Sequence, residues 1–516
     1  MREARTNTGK IGWFPPCMRW LAAIACLFFT TLPAPAANDP LTLDLTVKLE
    51  ALQELLNQPG SRILPMAALV ARSGLNELIA PQSVVRTRLS PEWQDQSAAE
   101  VEVGQINLRL ALTLMSQGYG FEDDLDVLLA QPDPSYRALV IRRGAVSLGD
   151  LRLILQDSGL QSVAASGPLT LKVPLIIWED ASLQLRPGEH LVLSRSDGAL
   201  LINLGHLGIT GASISSIGPA PPASLHYAPF VVTAGGGSVQ ARDAKFKDLG
   251  FGITSKFAGF SILGGTLRRS GTDSWVENST FDGLTSVMLD GISGVVLRGN
   301  LFRDMRGSAL IVTQSRGTNV LANLFTGSMR TNAIRIENGS AKSVVSGNII
   351  LSGERTGIVV RNNATHAEVS RNIIWRRTGG GIAVIKANCG LVTQNYVLEN
   401  RQKGIEVRSA LGAVVDENTI VSNQNAGVWV SAQAKGAQTL VRNNRLSANG
   451  SGVASASGEY ILLDGNDFTL QFPQFFSNEL SPYSAEIAQD LTGQNQMIVS
   501  AAGRLSILPS NHSCDN

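Results

Sequence analysis

Residues 346–398 read SGNIILSGERTGIVVRNNATHAEVSRNIIWRRTGGGIAVIKANCGLVTQNYVL, and this stretch decides the fold. Three times an asparagine precedes a short apolar run, at Asn348, Asn372 and Asn395. Midway between these asparagines stand two similar phrases, TGIVVRN and GGIAVIK. A unit of about 23 residues with two or three short strands cannot bury its apolar side alone, so it must stack on its neighbours.

The asparagine recurs over almost two hundred residues, at intervals of 22 to 26 residues. Its positions are Asn278, Asn300, Asn323, Asn348, Asn372, Asn395, Asn418, Asn444 and Asn466. Asparagine tolerates the left-handed conformation that a repeated corner requires, and its amide can hydrogen-bond to the coils on either side. We therefore predict an all-β fold, a parallel β-helix solenoid over residues 166–470, with a structural asparagine ladder.

The flanks of the repeat have different patterns. Residues 38–165 are predicted to form a small N-terminal α/β region. It begins with one or two amphipathic helices, TVKLEALQELLN and PMAALVARSGLNELI, broken near Pro59 and Gly60. Residues 471–516 leave the period from PYSAEIAQDLTG onward and are predicted to cap the open end of the stack.

The first 37 residues are typical of a secretory signal peptide. Basic residues come before the apolar run WLAAIACLFFTTL (20–32), and Ala34 and Ala36 form an A-x-A cleavage site. We therefore expect an exported protein with no later membrane span. Cleavage removes four of the 43 basic and one of the 42 acidic residues, which leaves a formal charge near −2. That charge excludes a globally basic nucleic-acid binder.

Only two cysteines, Cys389 and Cys514, follow the signal segment. They allow one disulfide bond or two free thiols, and the chain is not a disulfide-rich scaffold. CxxC and HxxxH spacings are absent, so we expect no metal site.

Stacking brings equivalent positions of successive coils about 4.8 Å apart. Counted from the small residue that opens the second phrase, these positions form a charged column, in which Lys386 is one place out of step. Its members are Glu337, Arg361, Lys386 and Arg408. Further basic residues fall in the same coils: Arg330, Arg335, Arg355, Arg376, Arg377, Arg401 and Lys403. This pattern favours an extended anionic polysaccharide, with Arg335, Lys386 and Arg408 as substrate-binding residues. The alternative is a set of solvated charges at outward strand ends.

Four earlier stretches carry a family resemblance. They are LVIRRGAVSLGDL (139–151), VPLIIWEDASLQLRPGEHLVLSRSDGALLINLGHLGITGA (173–212), FVVTAGGGSVQARDAKFKDLGF (230–251) and SKFAGFSI (255–262). Together they resemble the periplasmic mannuronan C5-epimerases of bacterial alginate synthesis, and the resemblance runs from about residue 139 to 450. It implies a right-handed β-helix, a periplasmic location, inversion at C5 of polymannuronate, and no diffusible cofactor. Proteins of exopolysaccharide synthesis or export are possible partners.

The family's D-P-H-D motif is not retained. Aligned through VVLRGNLFRDMRGSALIVTQSRGT, its four places fall on residues 310–313, and the place of the histidine held to be the base is taken by Val312. The family arginine that neutralises the uronate carboxylate falls on Asn338, and a second histidine falls on Asn332. Lys256 matches a family lysine, which makes it a candidate substrate-binding residue.

Other residues could still supply the chemistry. Removing the C5 proton needs a base and a cation that stabilises the developing enolate. Glu337 and Arg361 stand one coil beyond the lost motif, although a neighbouring arginine makes a carboxylate a weaker base. His366, in NNATHAEV, is the one histidine near the column and the third candidate catalytic residue, and residues 300–390 contain no tyrosine.

The sequence thus predicts an exported β-helix protein that acts on an anionic uronate polysaccharide. One interpretation is a modifying enzyme, either a C5-epimerase or a lyase, since both reactions begin by removing the C5 proton. The other is a catalytically silent relative that binds or shields the polymer during export. An unrelated adhesin-like role is a third possibility.

Overall fold

The structure is a computed structural model that describes residues 40–76, 100–252, 254–264, 273–500, 503–506 and 514. The expected signal peptide lies outside the described residues. Within them, the chain winds through a parallel β-helix in which each coil contributes one strand to each of three faces, named A, B and C in chain order. Faces A and B belong to one 28-stranded sheet, because two long N-terminal strands run through both, and face C is a separate 13-stranded sheet.

Most strands have only three to six residues. Face A contains Glu102–Asn107, Arg137–Ser147, Leu175–Leu185, Leu201–Asn203, Val231–Thr233, Gly259–Leu263, Ser286–Asp290, Leu310–Thr313, Ile334–Glu337, Ile358–Arg361, Ile382–Ile385, Ile405–Arg408, Ala426–Ser431, Ser451–Ala456 and Phe476–Asn478. Face B contains His206–Thr210, Ser238–Arg242, Trp275–Glu277, Val296–Arg298, Asn319–Leu321, Val344–Ser346, Glu368–Ser370, Leu391–Thr393, Ala413–Asp416, Gln438–Arg442, Tyr460–Asp464, Met497–Ser500 and Gly503–Leu505. Face C contains Leu169–Leu171, His190–Ser194, Ser213–Ile217, Lys245–Lys247, Thr280–Asp282, Leu301–Arg303, Leu324–Thr326, Ile349–Leu351, Ile373–Trp375, Tyr396–Leu398, Thr419–Val421, Arg445–Ser447 and Asp467–Leu470.

The core lies inside the solenoid, where inward side chains of one coil rest on those of the next. On face A the inward positions are β-branched or leucine, and Ile334 and Ile336 are fully buried. On face C, phenylalanines at one register position form a stack, Phe281, Phe302 and Phe325, with successive ring centroids 5.0 and 4.4 Å apart. Each offset stack adds about 0.5–1.5 kcal/mol to the burial of the rings.

The predicted asparagine ladder is confirmed. In every coil from Asn300 to Asn444 the asparagine amide donates to the side-chain oxygen of the next asparagine at 2.8–3.0 Å, and the ladder ends at Asn466. Asn278 lies outside the ladder, because Ser279 takes the equivalent position and donates its backbone N–H to Asn300 Oδ1 at 2.9 Å.

For the eight ladder asparagines the expectation of a left-handed conformation is wrong, whereas Asn278 does have a positive φ. In the ladder the residue just before each asparagine has the positive φ, as Ala322 before Asn323 and Arg371 before Asn372 do. The ladder asparagine itself is free to point inward, where its amide is buried. A second ladder, Asn400, Asn423, Asn449 and Gln471, runs between faces C and A at 2.9–3.1 Å.

Short helices cover or close the solenoid. Helices α1 (Pro40–Asn57) and α2 (Met66–Arg72), separated by a 3-10 turn at Pro59–Ile63, pack against the outer side of face C. This confirms the predicted break. Helices α3 (Leu108–Tyr119) and α4 (Asp124–Leu129) cover the first coils of face A.

The two ends of the core are closed by different elements. At the N-terminal end, helix α5 (Leu148–Asp157) buries Leu148, Leu151 and Leu155 against the core. At the C-terminal end, helix α6 (Ser484–Gln489) and the strand Met497–Ser500, which pairs antiparallel with face B, pack against the last coils. Two further 3-10 turns are Ser255–Phe257 and Ser481–Tyr483.

Candidate functional site

The outer side of face A is divided into a covered half and an open half. In the first coils, apolar residues of α3 and α4 pack on outward side chains such as Val140, Ile176 and Ile202. The cluster that they form reaches no face A residue beyond Leu263. We call the outward side of face A from Ser286–Asp290 to Ala426–Ser431 the open strip.

Strand register sets two rows of outward side chains along the open strip. The first row contains Met288, Ile311, Arg335, Val359, Ala383, Glu406 and Trp429. The second row, which we call the column, contains Asp290, Thr313, Glu337, Arg361, Ile385, Arg408 and Ser431. The structure thus aligns Glu337, Arg361 and Arg408 as predicted. Lys386 is not in the column, since Ile385 holds that register position.

Glu337 lies at the centre of an ion-pair cluster. Its side chain is only 6% exposed, and Arg335 Nη2 lies 2.7 Å from one carboxylate oxygen while Arg361 Nε lies 2.6 Å from the other. Two arginines therefore occupy both oxygens, which leaves the carboxylate poorly placed to accept a proton from a substrate. In this arrangement Glu337 can position the two guanidinium groups, but it is poorly suited to the catalytic role predicted for it.

The cations of the cluster remain available to a ligand. Arg361 is 39% exposed, and its Nη1 and Nη2 make no hydrogen bond within the described part of the chain. Arg408 and Lys386 are exposed, and neither forms an ion pair with any residue that the structure describes. Lys386 has a positive φ at the corner between faces A and B and borders the column.

His366 lies in the turn that joins face A to face B, five residues after Arg361. Its backbone N–H donates to the carbonyl of Asn388 at 3.0 Å, and its φ is positive. Neighbours of this corner residue belong to the turns above and below it, so the structure does not bring His366 into the column.

The position of Lys256 does not agree with its predicted role as a substrate-binding residue. Its side chain is completely buried and forms an ion pair with Asp124 of α4. The ammonium also donates to the carbonyl of Gly120 at 2.7 Å and to Ser116 Oγ at 3.2 Å. A polymer on the surface cannot reach this ammonium. Lys256 instead fastens the helical layer to the solenoid.

A second ionisable cluster lies where the covered half meets the open strip, and we call it the head. Asp290, the first residue of the column, accepts a hydrogen bond from Ser255 Oγ at 2.7 Å and has no ion pair with a described residue. Burial raises the pKa of Asp290 above its ordinary value, although the bond from Ser255 opposes the shift.

Tyr119, the last residue of α3, completes the head. Its hydroxyl donates to the carbonyl of Gly264, whose own N–H donates to the backbone carbonyl of Asp290 at 2.8 Å. Burial, and then the negative charge of Asp290, raise the pKa of Tyr119 to about 12. No pattern in the sequence points to Tyr119, since it precedes Asp290 by more than one hundred and fifty positions.

Three further observations concern the environment of the site. Cys389 and Cys514 form a disulfide bond, which decides between the two sequence alternatives. Across the described ranges, no three His, Cys, Asp or Glu side chains are grouped so that they could hold a metal ion. None of the helices in the described part of the chain has the length and apolar composition needed to cross a membrane.

Comparison with protein families finds one match, to the family described as right handed beta helix region, over residues 228–374 and 332–481. No curated protein gives a significant sequence match.

Several solved structures have a similar backbone. The periplasmic alginate epimerase AlgG superposes with a TM-score of 0.62 at 19% identity, covering 74% of this chain and 94% of that enzyme. A single-substitution variant of AlgG gives a TM-score of 0.64 at 19% identity, covering 76% and 97%. The A-module of the mannuronan C-5 epimerase AlgE6 of Azotobacter vinelandii gives 0.38 at 12% identity, covering 64% and 84%. The likeness to AlgG and the family match establish the fold as a right-handed parallel β-helix.

Proposed function

We propose that this protein binds an extended uronate polysaccharide of the alginate type along the open strip. The observation that carries the proposal is the pair of arginines, Arg335 and Arg361, held in place by the buried Glu337 on an outward face. Because Glu337 already orders these side chains, a carboxylate ligand meets guanidinium groups whose conformational entropy has largely been lost in advance.

The spacing of the cations fits a polymer with regularly placed anions. Arg361 and Arg408 stand two coils apart in the column, which corresponds to about 10 Å between their strands. One pyranose unit advances an extended chain by close to one strand spacing. A chain along the solenoid axis therefore presents alternate carboxylates to Arg361 and Arg408, with the intervening ring over Ile385.

Exposed cations also border the open strip. Lys386 lies on the side toward face B, and Arg330, Arg355 and Arg401 lie exposed in the turns that lead from face C into face A. These charges make the strip locally basic in a chain that is nearly neutral. Such a local field attracts a polyanion and makes its binding depend on salt.

The compartment and the ligand class have independent support. A disulfide bond between Cys389 and Cys514 is typical of an oxidising compartment, as the signal-like N-terminal sequence predicts. AlgG, which shares the fold over most of its length, is named as a periplasmic alginate epimerase. Both observations favour a periplasmic protein whose ligand is a uronate polymer, with proteins of polysaccharide export as candidate partners.

Binding to polymannuronate, measured by titration calorimetry over a series of salt concentrations, tests the proposal. We expect salt-sensitive binding to polymannuronate and none to a neutral glucan of similar length. Replacing both Arg361 and Arg408 by alanine removes two charge-assisted contacts and should weaken binding at least about tenfold. Arg143→Ala, which changes an exposed arginine of strand Arg137–Ser147 outside the open strip, is the matched control. Equal affinity of the double variant and the wild type would overturn the proposal.

A further inference from the structure

The head differs from the rest of the open strip because Asp290 forms no ion pair with any cation that the structure describes. Asp290 occupies the same strand position as Glu337, two coils earlier in the column. Its only side-chain hydrogen bond within the described residues comes from Ser255 Oγ, which leaves one carboxylate oxygen unoccupied. A half-buried carboxylate with a free oxygen, placed where a polymer would lie, is a group that can accept a proton.

We propose that Asp290 and Tyr119 form a proton-transfer pair that inverts C5 of a uronate unit held at the head. This inference rests on the proposed binding of a uronate polymer along the open strip. It adds a reaction to that binding and assigns the reaction to residues outside the predicted catalytic set.

The geometry places both groups at one point. Gly264 accepts a hydrogen bond from the Tyr119 hydroxyl and donates its N–H to the backbone carbonyl of Asp290, so one residue links the phenol to the strand that carries Asp290. The carboxylate of Asp290 is close enough for its charge to act on the phenol. Tyr119 is fixed at this point because Lys256, anchored by Asp124, holds the carbonyl of the next residue, Gly120. Asp290 ends the face A strand Ser286–Asp290, and Tyr119 ends helix α3, which packs on the outer side of that face. A sugar ring at the head would therefore meet them from different directions.

The protonation states suit their roles. Burial raises the pKa of Asp290, so its carboxylate is a stronger base than an exposed aspartate. The pKa of Tyr119 is about 12, so the phenol keeps its proton at neutral pH and can donate it. Among the described residues, the charged side chains of the adjoining turn and helix are Lys256 and Asp124, which form an ion pair with each other.

The chemistry follows from the substrate class. In a uronate unit the C5–H bond lies next to the carboxylate and is the most acidic C–H bond of the ring. Asp290 takes the C5 proton, and the electron pair of the broken bond passes into the carboxylate as an enediolate. The Tyr119 hydroxyl then gives its proton to C5 from the opposite face, and the electron pair returns to form the new C–H bond. Proton return from Asp290 to the phenolate through water restores both groups, with no cofactor consumed.

The location at the end of the strip gives the reaction a direction. Helices α3 and α4 cover face A beyond the head, so an extended chain cannot continue along that face. Arg335, Arg361 and Arg408 would hold the units that follow. The unit at the head is then at or near the end of the bound stretch.

The test is to incubate the full mature chain with polymannuronate in deuterium oxide. Proton NMR reports guluronate anomeric signals and deuterium at C5, and calorimetry on the same samples reports affinity. We expect wild-type turnover, and a loss of at least about 100-fold in kcat for Asp290→Asn and for Tyr119→Phe. Affinity should change less than threefold in both variants. The Arg143→Ala variant, which changes an exposed arginine of strand Arg137–Ser147, is the control and should leave both kcat and affinity unchanged.

A pH profile separates proton transfer from a structural role. Ser255→Ala removes a hydrogen bond that favours the ionised carboxylate, so the rising limb of kcat should move to higher pH. Wild-type protein that binds polymannuronate without C5 exchange would overturn this inference and leave the proposed binding intact. Absence of binding would overturn the proposed function itself. Retained turnover in Asp290→Asn, or an unsaturated elimination product in place of guluronate, would overturn the assignment of the pair.

Discussion

Asp290 and Glu337 occupy the same position on strands two coils apart, yet their surroundings are opposite. Glu337 is held by two arginines that arise from its own coil and the next, and both of its oxygens are occupied. Asp290 meets a serine hydroxyl and a tyrosine that come from other elements. Strand register therefore determines the position of a side chain, whereas its neighbours determine its ionisation and the hydrogen bonds that it can still form.

The source of the neighbours explains the difference. In the open strip, the residues around the column come from adjacent coils, so the repeat itself supplies the arginines. At the head, helix α3 and the 3-10 turn Ser255–Phe257 bring in residues that are distant in sequence. The helical layer is therefore part of the site as well as a cover for the first coils.

We expect the largest effect on stability from breaking the ion pair between Lys256 and Asp124, which attaches α4 to the solenoid beside the head. Lys256→Met leaves the carboxylate of Asp124 without its buried partner, and we expect the free energy of unfolding to fall by about 3 kcal/mol. Urea denaturation measures the change. Lys256→Met combined with Asp124→Leu should recover most of it, and Lys435→Met, an exposed lysine, is the control. A loss no greater than that of the control would contradict the anchoring role.

A smaller effect is expected from removing the carboxylate that orders the column. Glu337→Ala should lower the free energy of unfolding by about 1–2 kcal/mol. It should also weaken polymannuronate binding, because Arg335 and Arg361 lose their common anchor. Glu406→Ala, which changes the charge of the same strip equally, should bind the polyanion slightly better. Tighter binding by Glu337→Ala than by wild type would show that its charge matters more than its anchoring.

The smallest effect is expected at Asp290 itself. Its folded-state pKa is raised, so the folded protein holds this proton more tightly than the unfolded chain does, and ionisation costs stability as pH rises through the folded pKa. Asp290→Asn should therefore raise the stability at pH 7 slightly, by less than about 1 kcal/mol. The gain should vanish near pH 3, where both states are protonated. Thermal unfolding at the two pH values measures it, and a loss of stability at pH 7 would contradict the uncompensated charge.

The sequence predicted those features that depend on the repeat alone. Asn348 and its equivalents recur because each coil needs the same amide ladder, and counting along the repeat aligned Glu337, Arg361 and Arg408. The same count misplaced Lys386, since a corner residue with positive φ can follow the strand without sharing its register.

The features that were missed depend on contacts between distant segments. Lys256 matched a family lysine, but its burial results from the docking of α4, which no local pattern reports. Tyr119 lies far from residues 300–390 in the sequence, and it comes close to Asp290 only because α3 packs on the first coils of face A. The Cys389–Cys514 bridge likewise joins residues that are 125 positions apart.

A crystal structure of the mature chain with a mannuronate hexamer tests the central claim most directly. We expect a sugar chain that runs along the solenoid axis over the open strip, with alternate carboxylates hydrogen-bonded to Arg361 and Arg408 and one end at Asp290. A hexamer bound to face B or face C, or lying across the coils with no contact to Arg361, would contradict it.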